Sequence, residues 1–546
     1  MSTTEPAIGT VTQIEHSPSG VFDLFLDSYG RLLFTKWDHL KRDQEADADR
    51  FDGAGYGSVD FESETSSTVK KYSQYDSNGK LIADSRGVLY FTFPEARRGD
   101  DPTRDTNEAF HDYNQFFIWQ INEDGSNEET LNHVGRHEFG GSYMLGVFLD
   151  DPNLTDKFPS YIANVAMRNT FRADAGLFQL KEDINRPGTY IATYALEFAR
   201  YASGRIVEFA MPPGTNPETV AMKDYTNSTL DADPAGTGTK LASYTGHYRN
   251  PLPLADGSIL VSHTSEYRLS TSDHPYLFQL KKLIANTGST DMIASASLTG
   301  GISKNVLWWT DAATPAQYNG LLHEIDAIEV RPRARPVGLS MSNSFSAIEK
   351  GVMAQEGVDE KELRAWLKSK NLALIVSRNL TKRDRADVQQ PYNLRVPNGV
   401  QTIPKSGKVY DISALQIFQG DLTRGYGNGK SAGRRVFPRP LHNNTKHPDV
   451  ESWLSTSAPV TGAVKIGLDG SSAAFVPAGR ALSWQMVSPT GKPVVRERIW
   501  VSFAPGEIKT CPGCHGINSQ TQAGDTVPTN EPQALRDLLQ AWKAKK

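Results

Sequence analysis

The chain has 546 residues, 38% of them hydrophobic and 22% charged, with a net charge of −5, the balance of a folded protein with a sizeable core. So mild a charge gives no footing for a nucleic-acid or anionic-membrane partner, and no apolar run approaches the roughly 18–20 residues that cross a bilayer as a helix. At ~100–200 residues per domain, the length suits two to four domains, or one large repeat domain and a smaller one.

The first residues, Met1 to Pro6, have neither the basic start nor the apolar stretch of a secretory signal. From about residue 15 to 330 short apolar runs alternate with turn residues. The runs include Val21–Phe25, Leu32–Thr35, Val88–Phe93, Phe116–Ile121 and Ser258–Ser262, and Asp27-Ser28-Tyr29-Gly30, Asn122-Glu123-Asp124-Gly125 and Ala255-Asp256-Gly257 supply tight-turn chemistry beside them. The turn-then-strand phrase at Asp27–Thr35 is echoed at Asp256–Ser262. With ~40–50 residues per repeat, this half reads as a degenerate β-propeller of six or seven blades, with a large β-sandwich array as the alternative. Trp308-Trp309 is expected in its core, and the polar stretches 41–78 and 212–239 are expected as surface loops.

A basic, proline-bearing run from Glu329 to Pro336 ends the strand-rich half, which places a domain boundary near residue 330. In the next part, 331–460, Val358 to Lys368 reads as a helix with Asp359 as N-cap and Val358, Leu363, Trp366 and Leu367 on one face. From about 381 to 460 the chain is rich in Arg, Asn, Gly and Pro and reads as loop. The last part, 461–546, resumes strands at Ala463–Ile466, Ala473–Val476, Leu482–Val487 and Val494–Phe503 as a small antiparallel unit, and closes with a helix from Glu531 to Trp542. The fold class is therefore mainly β, with a smaller mixed domain after the propeller.

Between the last strand and that helix lies Cys511-Pro512-Gly513-Cys514-His515, which holds the only two cysteines of the chain. In a Cys-x-x-Cys-His run two thiols can add across the two vinyl groups of a haem while the adjacent imidazole binds the iron. A thioredoxin-like redox pair would use Pro512-Gly513 but has no need of His515. A zinc site would take both cysteines, His515 and a distant fourth ligand, without the second clustered pair that such sites draw on. A disulfide would close a very small strained ring. One covalent haem c is the reading carried forward. Such attachment takes place outside the bacterial cytoplasm, so a periplasmic or extracellular protein is expected, in a form whose signal has been removed.

The C-terminal phrases Asp469-Gly470-Ser471, Phe475-Val476-Pro477-Ala478, Trp484-Gln485, Arg496-Glu497-Arg498, Pro505-Gly506-Glu507 and Cys511 to Gly516 resemble, in this order, those of bacterial proteins similar to the alpha subunit of hydrazine synthase. Asn132 to Glu138 and Gly246 to Pro251 look like the propeller half of that family. The resemblance implies a propeller followed by a middle domain with one covalently bound haem, and membership of a larger complex. It does not imply hydrazine synthesis. Hydrazine-forming members carry a further domain with a second haem, whereas this chain ends about 30 residues after its motif. They also bind the iron through a tyrosine four residues after the motif histidine, where this chain has Ser519, so His515 is expected as the proximal ligand.

The other axial position decides between a carrier and a catalyst. Met486, His442 or His447 there would give a six-coordinate electron-transfer haem, while an open position admits a small-molecule ligand. Met486 reads equally as core filler and the two histidines as exposed loop residues. His133 and His137 could line a distal pocket or hold a metal, or form a buried polar cluster between blades. Arg434, Arg435 and Arg496 could pair with haem propionates or with nearby carboxylates. Two functions compete on this basis: a haem oxidoreductase acting on a small molecule, and a non-catalytic cytochrome that passes electrons to a redox partner protein.

Overall fold

A computed structural model describes residues 11–18, 20–39, 114–134, 151–154, 175–196, 200–227, 243–267, 276–311, 313–332, 346–388, 390–420, 439–441, 448–455, 457–460, 462–491, 493–497, 499–514 and 516–546. The expected strand Val88–Phe93, the stretch 41–78 and residues 228–239 fall outside them; the described part of the expected loop 212–239 holds a short helical turn at Pro217–Thr219 and a strand at Lys223–Asp224.

Three four-stranded antiparallel sheets follow one another in the first half, each in simple up-and-down order. The first is β1 (Val21–Leu26), β2 (Leu32–His39), β3 (Asn114–Ile121) and β4 (Glu129–Thr130). The second is β5 (Ala175–Glu182), β6 (Thr189–Leu196), β7 (Arg205–Ala210) and β8 (Lys223–Asp224). The third is β9 (His247–Pro253), β10 (Ile259–Thr264), β11 (Gln279–Ala285) and β12 (Met292–Ser297). A hairpin of β13 (Ser303–Trp309) and β14 (Pro315–Leu321) comes next. The sheets are blade-like, and no closed ring of them lies among the described residues.

The two echoing turn phrases occupy the same place in their sheets, the hairpin from first to second strand. In one, the Asp27 carboxylate accepts from the backbone N–H of Tyr29 (3.0 Å) and of Arg31 (2.8 Å), with Gly30 at φ 80°. In the other, Asp256 accepts from the Ser258 N–H (2.8 Å), with Gly257 at φ 82°. An aspartate that ties down the turn and a glycine that adopts left-handed φ are what such a hairpin requires.

A second repeat stitches sheet to sheet. The first strand of every sheet is bulged, and its bulge carries a polar residue at positive φ: Asp23 (58°), Gln179 (51°) and Asn250 (48°), followed by Asp326 (53°) in the extended segment after β14. Asp23 Oδ2 accepts from the Gln179 N–H (3.0 Å), Gln179 Oε1 from the Asn250 N–H (3.3 Å), and Asn250 Nδ2 donates to Asp326 Oδ1. Two residues before a bulge, the Leu177 carbonyl accepts from Thr35 Oγ1 (2.8 Å) and the Glu324 carbonyl from Ser262 Oγ (2.6 Å). Each bulge thus costs a strained backbone and offsets it with a bond to its neighbour.

Trp308 and Trp309 do not lie in a core. They are 44% and 60% exposed, because β13 and β14 form a two-stranded sheet whose faces no third element covers among the described residues.

In the third sheet His263 is buried, and burial pushes its imidazole down to about 4. Nε2 bonds the Thr245 carbonyl (2.8 Å) and Nδ1 meets the Lys281 ammonium (3.0 Å), an arrangement that suits the neutral ring donating from Nε2. A folded value below the ordinary 6.5 means that the unfolded chain takes up the proton first. Stability from this site is complete above about pH 6.5 and drains as pH falls toward 4, by about 3 kcal/mol. Denaturant midpoints measured between pH 7 and 4 should fall steeply in the wild type and less in His263→Gln; equal slopes would refute this origin.

The second half is one mixed unit. Its elements are α1 (Ala347–Gln355), α2 (Glu360–Ser369), β15 (Leu372–Ser377), β16 (Leu394–Arg395), β17 (Gln401–Thr402), β18 (Tyr410–Asp411), β19 (Ala414–Gly420), β20 (Arg439–Pro440), α3 (Pro448–Glu451), β21 (Ala463–Lys465), β22 (Ser472–Pro477), β23 (Ala481–Val487), β24 (Pro493–Arg496), β25 (Ile508–Cys511) and α4 (Gln533–Lys545). Asp359 caps α2 by accepting from the Glu362 N–H (2.9 Å), and Leu363 and Leu367 are fully buried on its inner face. The apolar run Leu372–Val376 makes β15 a central strand, antiparallel to β22 and parallel to β25. Stretches 331–460 and 461–546 therefore share one sheet. A second sheet pairs β19 with β20, β21 and β23, and β23 with β24. Of the described residues, no helix is long and apolar enough to cross a membrane.

Candidate haem-binding site

Strand β25 carries the cysteine pair into place. Its register sets Ser377 opposite Cys511, and past the strand end Cys514 pairs with Arg383, its N–H donating to the Lys382 carbonyl (3.1 Å). The Arg378 N–H donates to the Cys511 carbonyl (3.1 Å), while the Arg378 side chain is clamped by Glu349 of α1 at 2.6 and 3.0 Å. Burial alone would raise the Glu349 carboxyl, but Arg378 and the Ser346 hydroxyl hold it below the usual range. The loop between the cysteines needs its glycine: a Cβ on Gly513 would stand 2.5 Å from the Lys382 carbonyl oxygen. Gly516, at φ 78°, is demanded twice over, since a Cβ there would meet the His133 ring at 2.2 Å.

Cys511 is half-buried and Cys514 buried. Both border one small, partly open cavity. Its walls are apolar, from Ile375, Leu415, Trp484, Val501 and Phe503. Its polar groups are few. Lys509 shares the sheet face of Cys511 two residues away and donates to Asn127 Oδ1 (3.0 Å), Glu129 enters from β4, and Ser377 adds a hydroxyl. The Ser377 oxygen is buried and has no hydrogen-bond partner among the described residues. Two cysteines bordering an apolar wall are the donor set that a flat macrocycle held by two thioethers would use.

The first half closes the site from one side. Glu128 accepts from Lys36 Nζ (2.6 Å), from the Ser502 N–H (2.5 Å) and from the Ser502 hydroxyl, and the Asn127 N–H donates to Glu507 (3.0 Å). Burial pushes the Glu507 carboxyl up, against the pull of Lys509. His133 stands at φ 69° with Nδ1 2.9 Å from Asn518 Oδ1, so the first half does bring it against the chain just beyond the motif. Its neighbour Asn132, at φ 49°, is held by the Arg31 guanidinium (2.9 Å), itself bound to Asp27 and Tyr190 in the interior. Ser519 Oγ donates to Glu218 (2.7 Å), which also pairs with Arg385 (2.8 Å).

The remaining sequence candidates are spread out. Met486 is fully buried opposite Leu415 and is not on the cavity wall. Arg496 is buried on β24, its Nε donating to Gln485 (2.9 Å), and is likewise not on the wall. His515, His137, His442, His447, Arg434 and Arg435 lie outside the described residues. A thioredoxin-like pair requires a helix starting at its first cysteine, yet Cys511 ends a strand and no helix occurs in the described residues from 516 to 532. Sequence reasoning missed Ser377, Lys509 and Glu129; of these only Lys509 carried a local signal, the two-residue alternation with Cys511.

Residues 418–516, which include the cysteine motif, match the family model for the hydrazine synthase alpha subunit middle domain. A search of curated proteins finds no match. Of solved structures, a chain of hydrazine synthase from Kuenenia stuttgartiensis is similar at a TM-score of 0.40 and 12% identity, over 95% of this chain and 46% of that one. The chain thus spans about half the length of that relative. The resemblance read from the C-terminal phrases is borne out over residues 418–516, which are similar to that middle domain.

Proposed function

We propose that this chain is an exported bacterial c-type cytochrome that carries one haem, bound through Cys511 and Cys514 with His515 as proximal iron ligand, and works as a haem oxidoreductase on a small molecule. The observation that carries the reading is that both thiols of a Cys-x-x-Cys-His run border one apolar cavity. When bound, the haem supplies an iron that changes oxidation state and can take a small ligand.

The protein's part is to hold, orient and dry the site. The two sulfurs would tether the group at the end of β25, and the clamp of Glu349 on Arg378 keeps that strand end in place. Trp484, Phe503, Leu415 and Ile375 exclude water, which favours the less charged oxidation state. Lys509 sets a cation on the cavity wall two residues from Cys511. Hydrazine formation is not proposed, since Ser519 replaces the tyrosine ligand and its hydroxyl is engaged by Glu218.

A carrier that only passes electrons to a partner protein, within a larger complex, is the second reading. Met486 is not among the residues that border the cavity, but it shares a sheet face with Leu415 and Trp484, which do, and His442 and His447 lie outside the described residues, so the distal position is what separates the two readings. Carbon monoxide added to the reduced protein should shift its absorption spectrum. An unchanged spectrum would mean six-coordinate iron and would favour the carrier.

A further inference from the structure

Lys281 sits half-buried in β11, with its ammonium 3.0 Å from Nδ1 of the buried His263 on β10. His263 is fixed in turn by the bond from its Nε2 to the Thr245 carbonyl (2.8 Å). Because burial holds that imidazole neutral down to about pH 4, it offers Lys281 an acceptor and no countercharge. Among the described residues no carboxylate pairs with Lys281, and burial moves its amine downward from the ordinary lysine value. The other titratable groups around His263 are Tyr248, directly opposite on β9 and bonded to Thr245 Oγ1 (3.0 Å), and His247, which acts on His263 from a distance. Lys282, next along the strand and also half-buried, faces the other way and is set differently. It lies in electrostatic range of Asp256, whose carboxyl is held below its usual range by bonds from Ser258 and further by the Lys282 charge.

We propose that Lys281 is a nucleophilic lysine that captures small aldehydes as an imine, at a site on β10, β11 and β12 separate from the cavity beside the cysteines. An amine attacks only after it has shed its proton, and a half-buried cation that faces a neutral ring instead of a carboxylate sheds it more readily. The Lys281 nitrogen bonds to the carbonyl carbon, a carbon–nitrogen double bond replaces the carbon–oxygen one, and the oxygen leaves as water with the two amine protons. Nothing is oxidised or reduced. Ser297, paired with Lys281 on β12, is short and uncharged, and its hydroxyl donates to the Thr299 carbonyl (3.0 Å), so that strand supplies no countercharge either.

The probe is acetaldehyde with cyanoborohydride, applied to the full-length chain at pH 7 and stopped at low conversion. Once the imine forms, hydride from the cyanoborohydride reduces it to a stable ethylamine, which peptide mass spectrometry counts at each lysine. Lys281 should be labelled several times faster than Lys282, and in concentrated urea the two should react alike. Ser297→Asp, which sets a carboxylate across from the amine, should slow Lys281 by roughly two- to fivefold, the worth of a cross-strand ion pair, and leave Lys282 unchanged. Ser297→Asn, of the same shape without the charge, should leave both rates as they are. Equal rates for the two lysines in the folded chain, a preference that persists in urea, or the same Lys281 rate in the Asp and Asn variants would overturn the proposal.

Discussion

Exchanging both cysteines for serine, Cys511→Ser with Cys514→Ser, should abolish covalent haem completely in protein made alongside a cytochrome c maturation system. A serine hydroxyl does not add to a vinyl group under conditions in which a thiol does, because the oxygen is far less nucleophilic. Each single exchange should leave one thioether and a partly occupied, less stable product. The fold should survive. Cys511 is half-buried, and although Cys514 sits in the core, a buried hydroxyl in place of a thiol costs about 1–3 kcal/mol. Haem-specific staining of denatured protein separates the cases: signal in the wild type, weaker signal in the single variants and none in the double one. Haem that persists through denaturation in the double variant would show attachment elsewhere.

The second large effect concerns the joint between the two halves. Glu128→Ala should lower stability by up to about 3–5 kcal/mol, since it takes from the Lys36 ammonium, 1% exposed, the nearer of its two carboxylates and leaves Glu15 at 3.6 Å. Lys36 lies 4.0 Å from the Trp119 ring and also donates to the Trp500 carbonyl, so it cannot reach water without repacking. Glu128→Ala also frees the Ser502 N–H and hydroxyl, beside Val501 and Phe503 of the cavity wall. Removing the buried ammonium as well, in Glu128→Ala with Lys36→Met, should recover part of the loss. Chemical denaturation of the four proteins reads this directly. A double variant as unstable as the sum of the singles would show that the pair is not coupled.

Local chemistry was readable and distant pairing was not. The turns at Asp27–Gly30 and Asp256–Gly257, the Asp359 cap and the strands at 463–487 each depend on residues within a few positions of one another. The cysteine motif is legible for the same reason. Strands β15 and β19 lie in a part that read as helix and loop. Surrounding Arg, Asn, Gly and Pro hide β19, and Leu372–Val376 shows no alternation because β15 is buried on both faces. Ser377 and Glu129 became site residues only through pairings across more than a hundred residues. Trp308-Trp309 misled because large apolar side chains usually mark a core, and a two-stranded hairpin has none to offer.

The most direct measurement is the intact mass of the full-length chain, made with a cytochrome c maturation system, together with its pyridine haemochrome spectrum. A red protein heavier by one haem, with the spectrum of two saturated vinyl positions, is the expected result. A colourless protein of unmodified mass would contradict the account.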